Sequence, residues 1–259
     1  MSGDWVEELF IGKSDMFLVM MNAMWSVAPR QAAAIDRIIR KYFPDAQKVL
    51  DLMCGNGRIS IHLAVMGYEV VGLDFCEKFI KDARKRAAEY GVKSKTRFIV
   101  GDARRVDTYF KEDEFDVVLN FWTSIGYYGD ETDRDIFRRV RRITKPNGLF
   151  LILNAVSRDV YAGGLKPRTH EVIGENLFLY EHEFDVLTST HKWRWMWYRY
   201  EGRDLRFVDE ATLELRVYAI HEVVRMLRDA EWEIVDILHD IETMEKARIG
   251  SPINIIAKK

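Results

Sequence analysis

The chain has 259 residues, 48% of them hydrophobic and 31% charged, with a formal net charge of −2. That length supports one large or two small domains with a sizeable core, and the near-neutral charge excludes a uniformly basic nucleic-acid coat while leaving room for a local basic face. Its two cysteines, Cys54 and Cys76, lie among apolar residues with no partner at metal or redox spacing, which predicts buried free thiols in a reducing compartment.

In chain order, the stretch before Lys48 predicts two helices. Met16, Met20 and Met24 recur every fourth residue beside Phe17, Met21 and Trp25. Such a stripe reads as core packing, with an adaptable methionine-rich lid as the second option. The apolar run Met16–Trp25 is about half the length of a membrane span. Acidic residues precede it, and the basic flank of a signal peptide is missing. A cytoplasmic protein without membrane association is expected.

From Lys48 to Leu153, strands alternate with helices. KVLDL, YEVVGLD, TRFIVGD, FDVVLNF and GLFLILN read as strands, and Arg58–Met66, Glu77–Tyr90, Ala103–Phe110 and Asp133–Thr144 as helices. Apolar strands separated by amphipathic helices imply a parallel sheet covered on both faces, with right-handed crossovers. After Asn154 a loop-like stretch, Ala155–Pro167, gives way to LFLYEHEFDV, THKWRWMWYRY, DLRFV and TLELRVY, whose period-two alternation predicts antiparallel strands. A helix over Ile220–Ala230 and two closing strands, WEIVDILHDI and SPINIIAKK, complete the chain. The expected organisation is a helical lid (1–46), a Rossmann-like core (47–154), an antiparallel insert (155–211) and the C-terminal part of the core sheet (212–259).

The stretch VLDLMCGNGRIS places a carboxylate, Asp51, before a Gly-x-Gly turn at Gly55 and Gly57 that opens a helix. Glycines let a ligand approach the backbone, and the site falls at the carboxyl end of the sheet, where open α/β folds bind ligands. Asp74, about twenty residues on, is placed to grip ribose hydroxyls, which keeps a nicotinamide-dependent oxidoreductase open as an alternative. Against it, Asp51 would repel a pyrophosphate but welcome an ammonium or sulfonium. Asp102, followed by the backbone N–H of Ala103, suits the amino edge of adenine; capping of the following helix is the plainer role for that aspartate.

As a set, VLDLMCGNGR, EVVGLDF, RFIVGDA, FDVVLNFWTSIGYY and KPNGLFLILN resemble the successive motifs of class I S-adenosylmethionine-dependent methyltransferases. The resemblance resumes in LRVYAIHEVVRMLRDAEWEIVDI. It implies a Rossmann-like seven-stranded sheet with helices on both faces, and S-adenosyl-L-methionine as cofactor. Asp51, Gly55 and Gly57 would surround the methionine part. Asp74 would hold the ribose, Phe75 would pack on the adenine, and Asp102 and Ala103 would read its edge. The chain departs from the family at Met53, where a small residue is usual.

The segment after the fourth strand would stand beside the methyl group. Asn120 offers a carbonyl acceptor for an amine N–H, and Trp122 and Tyr127 offer faces and a hydroxyl. This resembles the Asn/Asp/Ser-Pro-Pro-aromatic device of amino methyltransferases, but Phe121 and Trp122 replace both prolines. Asn120, Trp122 and Tyr127 are therefore the catalytic candidates, with Asn120 also beside the cofactor. In the insert, Trp193, Trp195 and Trp197 share one strand face, expected to pack on the sheet domain. Lys192, Arg194, Met196, Tyr198 and Tyr200 share the other, a pattern that could meet RNA. Arg194 and Tyr198, together with Trp5, Glu7 and Trp25 from the N-terminal segment, are the substrate-contact candidates. The six histidines show no metal-ligand spacing, and His170 is a minor candidate base.

The expected activity is methyl transfer to an exocyclic amine of an RNA base, cytidine N4 in ribosomal RNA, on a weaker resemblance to archaeal enzymes of that kind. A small-molecule N- or O-methyltransferase, with the insert as substrate cap, is the alternative. A cofactor-binding protein without catalysis is a third, and its marker, a damaged cofactor site, is not visible in the sequence.

Overall fold

The computed structural model describes residues 4–259; the first three residues of the expected lid lie outside the described residues. Helix α1 (Asp4–Glu7) runs into a π turn and is followed by α2 (Ser14–Ala23) and α3 (Ala28–Tyr42). The core then alternates β1 (Lys48–Leu52), α4 (Arg58–Val65), β2 (Glu69–Asp74), α5 (Glu77–Glu89), β3 (Thr96–Val100), β4 (Phe115–Phe121), α6 (Asp130–Ile143) and β5 (Thr144–Ala155). The insert supplies β6 (Arg168–Ile173), β7 (Asn176–Asp185), β8 (Thr190–Glu201) and β9 (Asp204–Arg216), and the chain closes with α7 (Ile220–Asp229), β10 (Glu233–Asp240), β11 (Glu245–Lys246) and β12 (Ile253–Lys258).

The large sheet runs β11-β10-β12-β5-β4-β1-β2-β3, parallel from β5 through β3 and antiparallel where β12 joins β5. Seven of these are the strands expected, and the eighth, β11, is a two-residue addition at the edge. Strands such as β4, buried at every position, can be covered only by helices on both faces. Two apolar layers accordingly flank the sheet, one built around Ile35, Ile38 and Ile61, the other around Phe137, Val140 and Leu227. Because β1 is paired with both β2 and β4, the chain reverses direction across the sheet there, opening a crevice at the strands' carboxyl ends.

A third apolar cluster joins parts distant in sequence. Leu9, Phe10, Met16, Met20 and Met21 pack with Phe178, Trp195, Trp197 and Leu213 of the insert, and with Phe79 of α5. The four-stranded insert sheet, ordered β6-β7-β8-β9, thus forms a roof on the N-terminal segment over the crevice.

The structure departs from the sequence pattern in three places. Residues 103–110 do not form an α-helix; a short 3-10 segment, Ala103–Thr108, breaks at Arg105 (φ −124°). DLRFV and TLELRVY are one strand, β9: Tyr198 faces Phe207 and Trp197 faces Asp209, so the residue between is a bulge that locally inverts the alternation and mimics a break. Arg168–Ile173, to which the pattern gave no element, pairs with β7 as an exposed edge strand. Among the described residues no helix is long and apolar enough to cross a membrane.

Candidate active site

The crevice is built first from its turn. After β1, Met53 (φ +60°), Gly55 (φ +55°) and Gly57 (φ +74°) adopt left-handed conformations. A Cβ on Gly55 would lie 2.7 Å from Met21 Sδ, because the lid helix closes directly over the turn. Gly57 serves packing instead: a Cβ there would meet Phe98 at 2.8 Å and Ala83 at 3.0 Å, and the residue lies outside the cavity lining. Asp74 ends β2 with one oxygen accepting from Gly55 N and the other from Cys76 N, each at 2.9 Å, which fixes the turn to the neighbouring strand. Asp51 is buried behind the turn and accepts from the Ser60 hydroxyl. Burial pushes both carboxyls up to about 6, Ser60 and Arg58 opposing this at Asp51, and the amides of Cys76 and Gly55 at Asp74.

Arg58, which the sequence pattern did not single out, is 5% exposed beside Asp51. Its guanidinium lies 5.3 Å from the Phe121 ring and 5.2 Å from the Trp122 ring, and burial lowers it to about 10. Two buried carboxylates against one buried cation leave this end of the crevice deficient in positive charge.

The wall after β4 follows. Asn120 is 2% exposed; its Nδ2 donates to Ser124 O at 3.3 Å, and its Oδ1 is buried without a partner. Trp122 has φ +70°, a conformation strained for a bulky residue, and its indole lines the cavity. Gly126 N donates to Asp133 Oδ2 at 2.8 Å, and Tyr218 OH donates to the same oxygen at 2.8 Å, so a buried carboxylate on α6 holds the Ser124–Tyr128 loop. Burial pushes that carboxyl up to about 6. Tyr127 lines the cavity with its hydroxyl donated to Thr123 O, and burial raises its pKa.

Lid and roof complete a partly open cavity of about 190 Å³. Trp5, Phe10, Phe17 and Met20 face Trp122, Tyr127, Tyr128, Trp193 and Trp195 across it, with Leu213 and Leu215 from β9. Trp5 meets Tyr127 edge-on at 5.4 Å, and Phe17 stacks on Trp195 at 5.9 Å with planes 3° apart. The methionine stripe is therefore both core and wall: Met16 is fully buried, while Met20 and Met21 line the cavity.

The cofactor candidates Asp51, Gly55, Asp74, Phe75 and Ala103 meet in this lining, as do Trp122, Tyr127 and Trp5. Asp102 does not. It caps the 3-10 turn, accepting from Arg104 N at 2.8 Å and pairing with Arg104 Nε at 2.8 Å, so its carboxylate is spent at the rim. Four substrate candidates also fall elsewhere. Trp25 donates to Tyr90 OH at 2.6 Å under Arg86, its ring held by helix packing away from the cavity. Glu7 is exposed on α1. Arg194 is exposed and paired with Glu181 (3.2 Å) and Glu210 (2.7 Å), because β7 places Glu181 opposite it and β9 places Glu210 diagonally, two residues from its partner Thr212. Tyr198 packs edge-on to Phe207 at 5.5 Å on the outer face. His170 is exposed on β6. The expected burial of Cys54 and Cys76 as free thiols holds. Phe10, Phe17, Arg58 and Asp133 were missed: the first two sit in an ordinary amphipathic pattern, and neither charged residue belongs to a motif.

The donor set fits S-adenosylmethionine. Asp51 and Asp74 are buried carboxylates short of positive charge, and Asp74 also presents oxygens beside an aromatic, Phe75. Such a set could hold a cation, ribose hydroxyls and an adenine face. Comparison with known proteins agrees. A family profile described as "Methyltransferase domain" matches residues 49–148. YqeM of Bacillus subtilis (strain 168), which carries a methyltransferase name, is 26% identical over 225 residues, covering 85% of this chain and 87% of that protein. MJ1653 of Methanocaldococcus jannaschii, named for ribosomal RNA large-subunit methylation, is 37% identical over 84 residues, 31% of this chain but only 22% of that protein. A solved S-adenosylmethionine-dependent methyltransferase from Clostridium acetobutylicum ATCC 824 superposes with a TM-score of 0.75 at 16% identity, over 88% of this chain and 90% of that one, which establishes the fold.

Proposed function

We propose, from the premise that this chain is a class I S-adenosylmethionine-dependent methyltransferase, that its acceptor is a small, largely apolar molecule enclosed between the lid and the insert sheet. The cavity carries this reading. It is walled by aromatic rings from three separate parts of the chain and closed over by β8 and β9. Ligand pockets of this kind bury most of a small molecule and fix it with few polar groups.

Bound in the crevice, S-adenosylmethionine supplies an electrophilic methyl on a sulfonium. The chain's own residues do the rest. Asp51 and Asp74 would neutralise the cation and hold the ribose, with Phe75 and Ala103 along the adenine. Trp122, Tyr127 and Trp5 would align the acceptor and exclude water, which is most of what an in-line displacement needs. Asn120, at the end of β4 two residues before Trp122, lies outside the cavity lining with its Oδ1 buried and unpartnered; in this reading it would accept from an N–H once the acceptor is bound and turn a lone pair. The carboxylates of the lining, Asp51 and Asp74, are taken up by the cofactor in this reading, and among the described lining residues there is no histidine, lysine or glutamate. The pocket thus suits a nucleophile that is already neutral with a free lone pair, or already ionised, at neutral pH, and not an aliphatic alcohol that requires a general base.

Transfer to an exocyclic amine of ribosomal RNA is the second reading, favoured by the likeness to MJ1653. That likeness spans little more than the cofactor half. The charged face of β8, which was to meet RNA, is neutralised by Glu181, Glu210 and Glu214. The test is transfer of labelled methyl from S-adenosylmethionine to an unmodified ribosomal RNA transcript, beside a pooled small-metabolite extract. Label confined to the metabolites is expected; label in the RNA, mapped to a base amine, would reverse the order of the two readings.

A further inference from the structure

We infer that the acceptor is an aromatic or otherwise flat molecule bearing a hydrogen-bond-accepting oxygen, and that the indole N–H groups of Trp193 and Trp195 select it. The inference rests on the small-acceptor reading above.

Tryptophan nitrogen is a donor only, and a buried one normally finds an acceptor. Three other tryptophans of this chain meet it within the protein. Trp25 donates to Tyr90 OH at 2.6 Å, Trp197 to Asn176 Oδ1 at 2.8 Å and Trp232 to the Phe137 carbonyl at 3.1 Å. Trp193 and Trp195 break it. Both line the cavity, both nitrogens are shut off from solvent, and neither has an acceptor among the described residues. Trp197, one more step along the same face of β8, lies outside the lining and is satisfied. The two orphan donors therefore coincide with the cavity rather than with the strand.

Aromatic side chains hold both rings in place, Tyr180 meeting Trp193 at 5.7 Å and Trp195 at 5.6 Å. Phe17 covers a face of Trp195 (planes 3° apart), and His191 stacks on Trp193 at 5.2 Å, 14° from parallel. The two indoles meet each other at 4.9 Å and 76°. Two donors on neighbouring residues of one cavity wall suit a single carbonyl oxygen, which has two lone pairs, or two neighbouring oxygens. A buried donor without its acceptor is costly, so a ligand lacking that oxygen is rejected more strongly than the gain of a hydrogen bond alone would give.

The test uses the full chain saturated with S-adenosylhomocysteine and a matched pair of probes, 1-tetralone and tetralin, which differ by the carbonyl. Dissociation constants are read by NMR titration, together with the indole ¹H–¹⁵N signals. The wild type is expected to favour 1-tetralone at least about tenfold. Trp193→Phe and Trp195→Phe, which keep a ring and delete the donor, each reduce that preference several-fold. The double variant abolishes it while tetralin binding stays within about twofold. In the wild type alone, two buried indole signals should move downfield with 1-tetralone and not with tetralin, a readout that needs no variant to fold. Equal binding of the two probes, a preference that survives in the double variant, or unmoved indole signals would overturn the inference and leave the small-acceptor pocket standing. Binding of neither probe would remove the small-acceptor reading and this inference with it.

Discussion

Cofactor affinity should depend on pH through Asp51 and Asp74. Both carboxyls are buried and stand near 6 in the free protein, pushed there by desolvation. At pH 5 each is about nine-tenths protonated, and at pH 7.5 nearly all ionised. If the ligand's cation and hydroxyls require the ionised forms, affinity for S-adenosylmethionine falls about tenfold per group from pH 7 to pH 5. For both together that is about a hundredfold, or ~2.7 kcal/mol. The sign for stability runs the other way in the free protein. A carboxyl raised above its unfolded value stabilises the fold below about pH 4, and that contribution is lost as pH climbs through about 6. The thermal shift on adding ligand should therefore be larger at pH 7.5 than at pH 5. Isothermal titration at pH 5, 6, 7 and 8 measures the slope. S-adenosylhomocysteine, which lacks the sulfonium, should show a shallower one, and Asp74→Asn should remove about half of it. Asp133 titrates in the same range but touches only Gly126 N and Tyr218 OH, so Asp133→Asn should leave the slope in place. A flat profile between pH 5 and 7 would refute the assignment of these carboxylates to the cofactor.

Asn120→Ala deletes the donor to Ser124 O and the orphaned carbonyl; turnover on the true substrate should fall about ten- to a hundredfold while the cofactor dissociation constant stays within about twofold, and unchanged turnover would discard the amide-acceptor role. Gly126→Ala places a Cβ 2.0 Å from the Arg216 carbonyl at a φ of +85° and strains the backbone contact between the active-site loop and β9; urea unfolding should register a loss of about 3 kcal/mol. Arg194→Ala removes only exposed pairs with Glu181 and Glu210, so stability should change by less than about 1 kcal/mol, and a fall in RNA affinity with a reduced salt slope would instead mark that face as a nucleic-acid surface.

The cofactor half was legible because each of its features has a local cause. A strand, an acid, a glycine turn and a helix stand within about a dozen residues, and Asp74 lies at a fixed distance beyond them. Asp102 shows the limit of such reading. Its spacing suits an adenine edge and equally suits a cap, and the choice turned on Arg104, which the chain places two residues on and folds back over it. The charged face of β8 shows a related limit. Period two reveals which residues share a face, but not what stands across from them. Only the register, Arg194 beside Glu181 on β7 and Thr212 on β9 with Glu210 next along, shows that its charge is already answered.

The proposed acceptor half was illegible for a deeper reason: its residues belong to a hydrophobic core with a hollow in it. Phe10, Met20, Met21, Trp195 and Leu213 are counted among the buried core of the lid and roof, and the same side chains line the cavity. A sequence pattern reports only that a residue wants to leave water, and an aromatic ring satisfies that equally against another side chain or against a ligand. What would separate the two, on the inference above, is a missing partner: the indole nitrogens of Trp193 and Trp195 are polar atoms drawn into that wall with nothing of the protein's own to meet them. In a core made only for stability such atoms would be a net cost, and Trp197 and Trp232, which lie outside the lining, each have an acceptor. On the inference above, the two unpaired indoles of the lining mark where the packing is to be completed from outside, a role that the unpartnered His62 Nε2 and Arg134 Nε, both outside the lining, do not share.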